Sequence, residues 1–81
     1  MLVTVRLFAR LRELADAGEL PMDLPDGATV RDAWQQLAVR NRDIEPYAST
    51  VSCAINADYS KMSATLKDGD EVAFLPPVSG G

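Results

Sequence analysis

Eighty-one residues make room for one domain, small enough to bury only about 60% of its unfolded surface, with no space for a deep substrate cleft. Apolar residues form 47% of the chain and charged residues 25%, the balance of a globular domain. Twelve acidic residues against eight basic ones give a net charge of −4, which speaks against a nucleic-acid partner and for a basic protein partner. The absence of histidine removes Ser–His and Cys–His nucleophile pairs, and a single cysteine permits neither an internal disulfide nor a multi-cysteine metal site. No apolar run approaches the ~20 residues of a membrane helix and no signal-peptide pattern opens the chain, so a cytoplasmic protein without membrane contact is expected.

Residues 2–8 alternate with the two-residue period of a strand. Val3, Val5 and Leu7 share one face, and Leu2, Thr4, Arg6 and Phe8 the other. Residues 9–17 read as a short helix with Leu11, Leu14 and Ala15 on one side and Gly18 as its stop. Glu19 to Leu24 alternates again, with Leu20, Met22 and Leu24 inward. Pro21 lacks the N–H that a central ladder needs, so this strand belongs at an edge. Pro25-Asp26-Gly27 then marks a turn.

Thr29 and Asp32 stand three apart, as in a capping box, and open the main helix. Val30, Ala33, Trp34, Leu37 and Ala38 form its apolar stripe, with Trp34 as a core anchor. Residues 41–50, broken by Asn41, Pro46 and Ser49, read as a loop. Val51 to Asn56 alternates as a strand in which Cys53 is a small buried hydrophobe. A turn at Asn56-Ala57-Asp58 leaves room for a short edge strand at Tyr59. After Leu66 and the turn Lys67-Asp68-Gly69-Asp70, the last strand runs Glu71 to Leu75, with Val72 and Phe74 on one face and Ala73 and Leu75 on the other. Pro76-Pro77 ends it, because neither residue can donate a hydrogen bond.

One amphipathic helix cannot cover both faces of a four- to five-stranded sheet, so the pattern predicts an α+β fold with the helix on one face of a mixed sheet and the other face wet. This is the pattern of a β-grasp domain over residues 1–75; a ferredoxin-like arrangement would need one more helix. Residues 76–81 are expected to form a flexible tail ending in Gly-Gly. Phe8, Leu75 and Tyr59 fall on the open side, where an apolar cluster is a candidate docking surface. The tail, Pro76, Pro77, Val78, Ser79, Gly80 and Gly81, leaves beside that cluster and reaches roughly 20 Å when extended. Two glycines give a thin backbone that passes where a Cβ would not. Its carboxylate is a poor electrophile, but adenylation supplies a leaving group that a sulfur nucleophile displaces.

The run Asp68-Gly69-Asp70-Glu71-Val72-Ala73-Phe74-Leu75-Pro76-Pro77-Val78-Ser79-Gly80-Gly81 resembles the C-terminal signature of the small subunits of molybdopterin synthase, the MoaD family of ubiquitin-like sulfur carriers. Val5-Arg6-Leu7-Phe8-Ala9 and Leu11-Arg12-Glu13-Leu14 are similar to that family's opening. The resemblance implies a β-grasp fold and a subunit that is not an enzyme on its own. It further implies that Gly81 is adenylated by an E1-like adenylyltransferase using ATP and magnesium, converted to a thiocarboxylate, and threaded into the large synthase subunit. There it would donate sulfur to cyclic pyranopterin monophosphate for molybdenum cofactor biosynthesis. A heterotetramer of two small and two large subunits is implied, with the catalytic residues on the large subunit and no cofactor or metal on the small one. Phe8, Tyr59 and Leu75 match the family's partner-facing apolar positions, though the segment from Ala57 to Met62 departs from its common pattern. A carrier for thiamin, cysteine or tRNA thiolation, and a ubiquitin-like modifier joined to lysines, share the same terminal chemistry and stay open.

Overall fold

The computed structural model describes residues 1–77. Five strands, β1 (Leu2–Leu7), β2 (Glu19–Asp23), β3 (Ser52–Ile55), β4 (Asp58–Ser60) and β5 (Glu71–Leu75), form one mixed sheet in the order β2-β1-β5-β3-β4. β1 and β5 run parallel at its centre, and the remaining neighbours are antiparallel. β2 lies at the edge, with Pro21 opposite Thr4, where a missing donor does least harm. Helix α1 (Ala9–Ala15) is a short connection that buries only Leu11 fully. Helix α2 (Val30–Arg40), the one long helix among the described residues, covers the sheet. That leaves the second layer with one main helix, the β-grasp solution rather than a ferredoxin-like one.

Helix α2 starts where the sequence places it. Thr29 accepts from the Asp32 backbone N–H at 3.3 Å, and Asp32 Oδ2 accepts from the Thr29 N–H at 2.8 Å, closing the capping box. Two further N–H groups of the first turn donate to loop carbonyls, Val30 to Ala64 at 3.0 Å and Arg31 to Met62 at 2.9 Å. Helix-start donors that would otherwise lack partners thus tie the 62–66 segment to the helix. Trp34 meets Phe74 edge-on, with ring centroids 5.1 Å apart. Around that pair pack Val3, Val5, Leu7, Leu37, Leu66 and Val72, all buried.

Two local expectations are corrected. Helix α1 stops at Ala15 because Asp16, not Gly18, takes the left-handed cap conformation (φ 54°); a short polar side chain tolerates that region. Residues 42–47, read as loop, form a 3-10 helix (Arg42–Tyr47) that contains Pro46 and buries Ile44 completely. Pro46 breaks an α-helical ladder but fits a short 3-10 turn, and Ile44 and Tyr47, three apart, share one side of it.

Candidate functional site

The sheet has one face under α2 and one face open. Strand register sets what the open face presents. Arg6 is paired with Ala73, Ala73 with Ala54, and Ala54 with Tyr59, so these four form a row across β1, β5, β3 and β4. The two alanines in the middle make the row concave. Phe8 (37% exposed) and Tyr59 (79% exposed) are among the few large apolar side chains left outside. Leu75 is half-buried.

Phe8 and Leu75 form a ridge between two hollows. On one side lies a concavity of about 230 Å³ whose lining includes Arg6, Ala54, Ala57, Tyr59 and Ala73. On the other, Ala9, Arg10, Tyr47, Pro76 and Pro77 line a second hollow against the same ridge. The chain therefore leaves β5 along the ridge itself. Its exit is set by Leu75, the last residue in register (opposite Ser52), and by two prolines that cannot extend the ladder.

Phe8 is aimed outward by a backbone break. It is extended (φ −126°, ψ 154°), and its carbonyl accepts from the Leu11 N–H at 3.1 Å as α1 begins. The Arg6 guanidinium lies 5.5 Å from the Phe8 ring centroid and 3.4 Å from Glu71 Oε1. An exposed ion pair of this kind adds little stability. Stacked on the ring, it holds both side chains in place over the concavity. At the far end, Asn56 fixes the β3–β4 hairpin to the start of β5. Its side chain accepts from the Glu71 N–H at 3.0 Å and donates to Asp70 at 3.0 Å.

Of the residues singled out from sequence, Phe8 and Leu75 come together on the ridge and Tyr59 joins them across the first hollow. Pro76 and Pro77 line the second hollow. Val78, Ser79, Gly80 and Gly81 lie outside the described residues. Sequence reasoning did not single out Arg6, Ala54, Ala73 or Tyr47. Arg6 shares the face of Phe8 by simple alternation, which was a usable signal; the meeting of Ala73 with Ala54 depends on which strands pair.

The described site holds little chemistry of its own. Cys53, the sole thiol, is buried on the helix side, where desolvation raises its pKa and keeps it protonated; its Sγ donates to the Ser60 carbonyl at 3.2 Å. Among the described residues no three Cys, Asp or Glu side chains gather into a metal-binding group, and no helix is long and apolar enough to cross a membrane. What the site offers is an apolar ridge with two hollows and a stalk rooted between them.

A protein named molybdopterin synthase sulfur carrier subunit, from Chlamydomonas reinhardtii, is 37% identical over 83 residues, covering all of both chains. The crystal structure of SAMP1 from Haloferax volcanii, a small archaeal modifier protein, superposes with a TM-score of 0.89 at 27% identity, covering all of both chains. A putative molybdopterin converting factor subunit 1 from Pyrococcus furiosus gives a TM-score of 0.85 at 36% identity, over 96% of this chain and 99% of that one. The family model described as the ThiS family matches residues 5–81, nearly the whole sequence and both hollows' residues, and the chain belongs to that family.

Proposed function

We propose that this chain works as the sulfur carrier subunit of molybdopterin synthase, with Gly81 as the residue that bears the sulfur. The observation that carries this reading is the root of the tail. Pro76 and Pro77 share a hollow with the exposed ridge of Phe8 and Leu75, so a protein that grips the ridge also receives residues 76–81. Membership of the ThiS family and full-length likeness to named sulfur carrier subunits support the chemistry.

The Gly81 carboxylate attacks the α-phosphorus of ATP on an E1-like enzyme that supplies magnesium, and pyrophosphate leaves. Hydrosulfide from a sulfur donor then displaces AMP, the new C–S bond replacing the bond to the phosphate oxygen, and loss of the proton leaves a thiocarboxylate. Docked through Phe8, Tyr59 and Leu75, the carrier threads Ser79, Gly80 and Gly81 into the large subunit, whose residues catalyse sulfur donation to cyclic pyranopterin monophosphate. The small subunit binds no cofactor, and the reaction takes place in the cytoplasm in a heterotetramer.

Mass spectrometry after incubation with the activating enzyme, ATP and a sulfur donor is expected to reveal an oxygen-to-sulfur exchange at Gly81. A chain that stays a carboxylate under conditions that thiolate another family member would sink the reading. Likeness to a small archaeal modifier protein favours a second reading, in which a lysine amine replaces the sulfur nucleophile. Gly-Gly remnants on cellular lysines that vanish on deletion of Gly81 would establish it.

A further inference from the structure

Among the described residues, four other than glycine have φ between 50° and 73°: Ala9, Asp16, Asn56 and Ala57. For Asp16 and Asn56 this is ordinary, because short polar side chains tolerate the left-handed region. Asp16 caps a helix and Asn56 uses its side chain in two hydrogen bonds. The two alanines have no such compensation. Both are exposed, and an alanine side chain forms no hydrogen bond. Ala57 (φ 73°) is the second residue of the two-residue turn between the paired Ile55 and Asp58, the position where glycine fits best. Ala9 (φ 51°) carries the break that turns Phe8 outward.

Their location is the second observation. Ala9 lines the hollow beside the stalk and Ala57 lines the hollow on the sheet face, and the two hollows share Phe8 and Leu75. The chain's two strained alanines among the described residues thus flank the ridge on opposite sides. Strained backbone concentrates where function over-determines it. We infer that the Ala9 and Ala57 methyl groups are contact points for the large synthase subunit, one on each side of the Phe8–Leu75 ridge. The inference rests on the carrier reading above. A partner seated on the Phe8–Leu75 ridge closes over both hollows and buries one methyl at each end.

Glycine at either position removes the strain and the contact together, so stability and affinity move in opposite directions. Ala9→Gly and Ala57→Gly, made in the full chain singly and together, are compared by urea denaturation and by titration into the purified large subunit. Each variant is expected to raise the folding equilibrium constant about threefold, relief of left-handed strain outweighing glycine's added unfolded-state freedom. Each is expected to weaken binding about fourfold, as for the loss of one buried methyl, and the pair about fifteenfold. A gain in stability excludes loosening of the fold as the cause of weaker binding. Glycine variants that bind as tightly as the unaltered chain, or that lose stability, overturn the inference while the carrier reading stands. An unaltered chain that fails to bind the large subunit overturns both.

Discussion

Strand β5 puts two kinds of residue on its two faces. Toward the helix it sends Val72 and Phe74, both wholly buried. Toward the open side it sends Ala73 and Leu75, both half-buried, next to Arg6, Phe8 and Tyr59. Because the strand period is two, five consecutive residues encode a core and a docking surface without sharing a side chain. Burial on the covered face opposes the conformational entropy of folding. On the open face the same kinds of side chain stay partly in water, where they contribute little until a partner covers them. Stability and partner recognition are therefore separable by exchanging neighbouring residues, and the tail beyond Pro77 is separable from both.

The tail gives the largest expected effect. Deleting Gly81 is expected to abolish sulfur transfer completely, with the urea midpoint unchanged because no residue of either sheet face is altered. Substituting leucine at Gly80 is expected to block threading in the same all-or-none fashion. Transfer at the normal rate in single-turnover assays of the Gly80 variant would break the separation between tail and domain.

Next comes the covered face. Phe74 fills the centre of the core against Trp34, so Phe74→Ala is expected to cost about 3–5 kcal/mol in denaturant unfolding. That is a large part of the 5–15 kcal/mol typical of a whole domain. On the open face, Phe8→Asp is expected to change stability by no more than about 0.5 kcal/mol. It is expected to weaken large-subunit binding about thirtyfold, as an aromatic anchor does when lost. Collapse of thermal stability in the Phe8 variant would mean that Phe8 is core and that the two faces are not distinct. Thr29→Ala, which removes the helix cap, is expected to cost about 1 kcal/mol and to leave binding untouched.

What the sequence reveals divides along the same line. The covered face is legible because it is periodic: the stripe Val30, Ala33, Trp34, Leu37 and the alternation of β1 and β5 name most of the core. The open face is legible only at its large residues, since Phe8, Tyr59 and Leu75 stand out by being apolar on a polar side. The hollows between them are not, because they are made by small residues meeting across strands, and pairing partners are a tertiary fact. Ile44 and Tyr47 were hidden by Asn41 and Pro46, which read as loop chemistry although a three-residue spacing was present. Left-handed Ala9 and Ala57 carry no sequence mark, since nothing distinguishes a strained alanine from a relaxed one until the backbone is traced.

The smallest expected effect sharpens the covered side. Cys53 is paired in register with Phe74, on the helix side of the sheet, and burial raises its thiol pKa above the ordinary value of 9.0. In the unfolded chain the thiol ionises at that ordinary value; in the folded chain it resists. Its contribution to stability is therefore fully present below about pH 9 and declines as pH rises from the unfolded pKa towards the folded one. Unfolding midpoints of the unaltered chain and of Cys53→Ala, taken at about pH 8 and about pH 10, isolate this slope by difference. The unaltered chain is expected to lose more stability over the interval. Equal losses would mean that water reaches the thiol and that the covered face is less dry than the core around Phe74 implies.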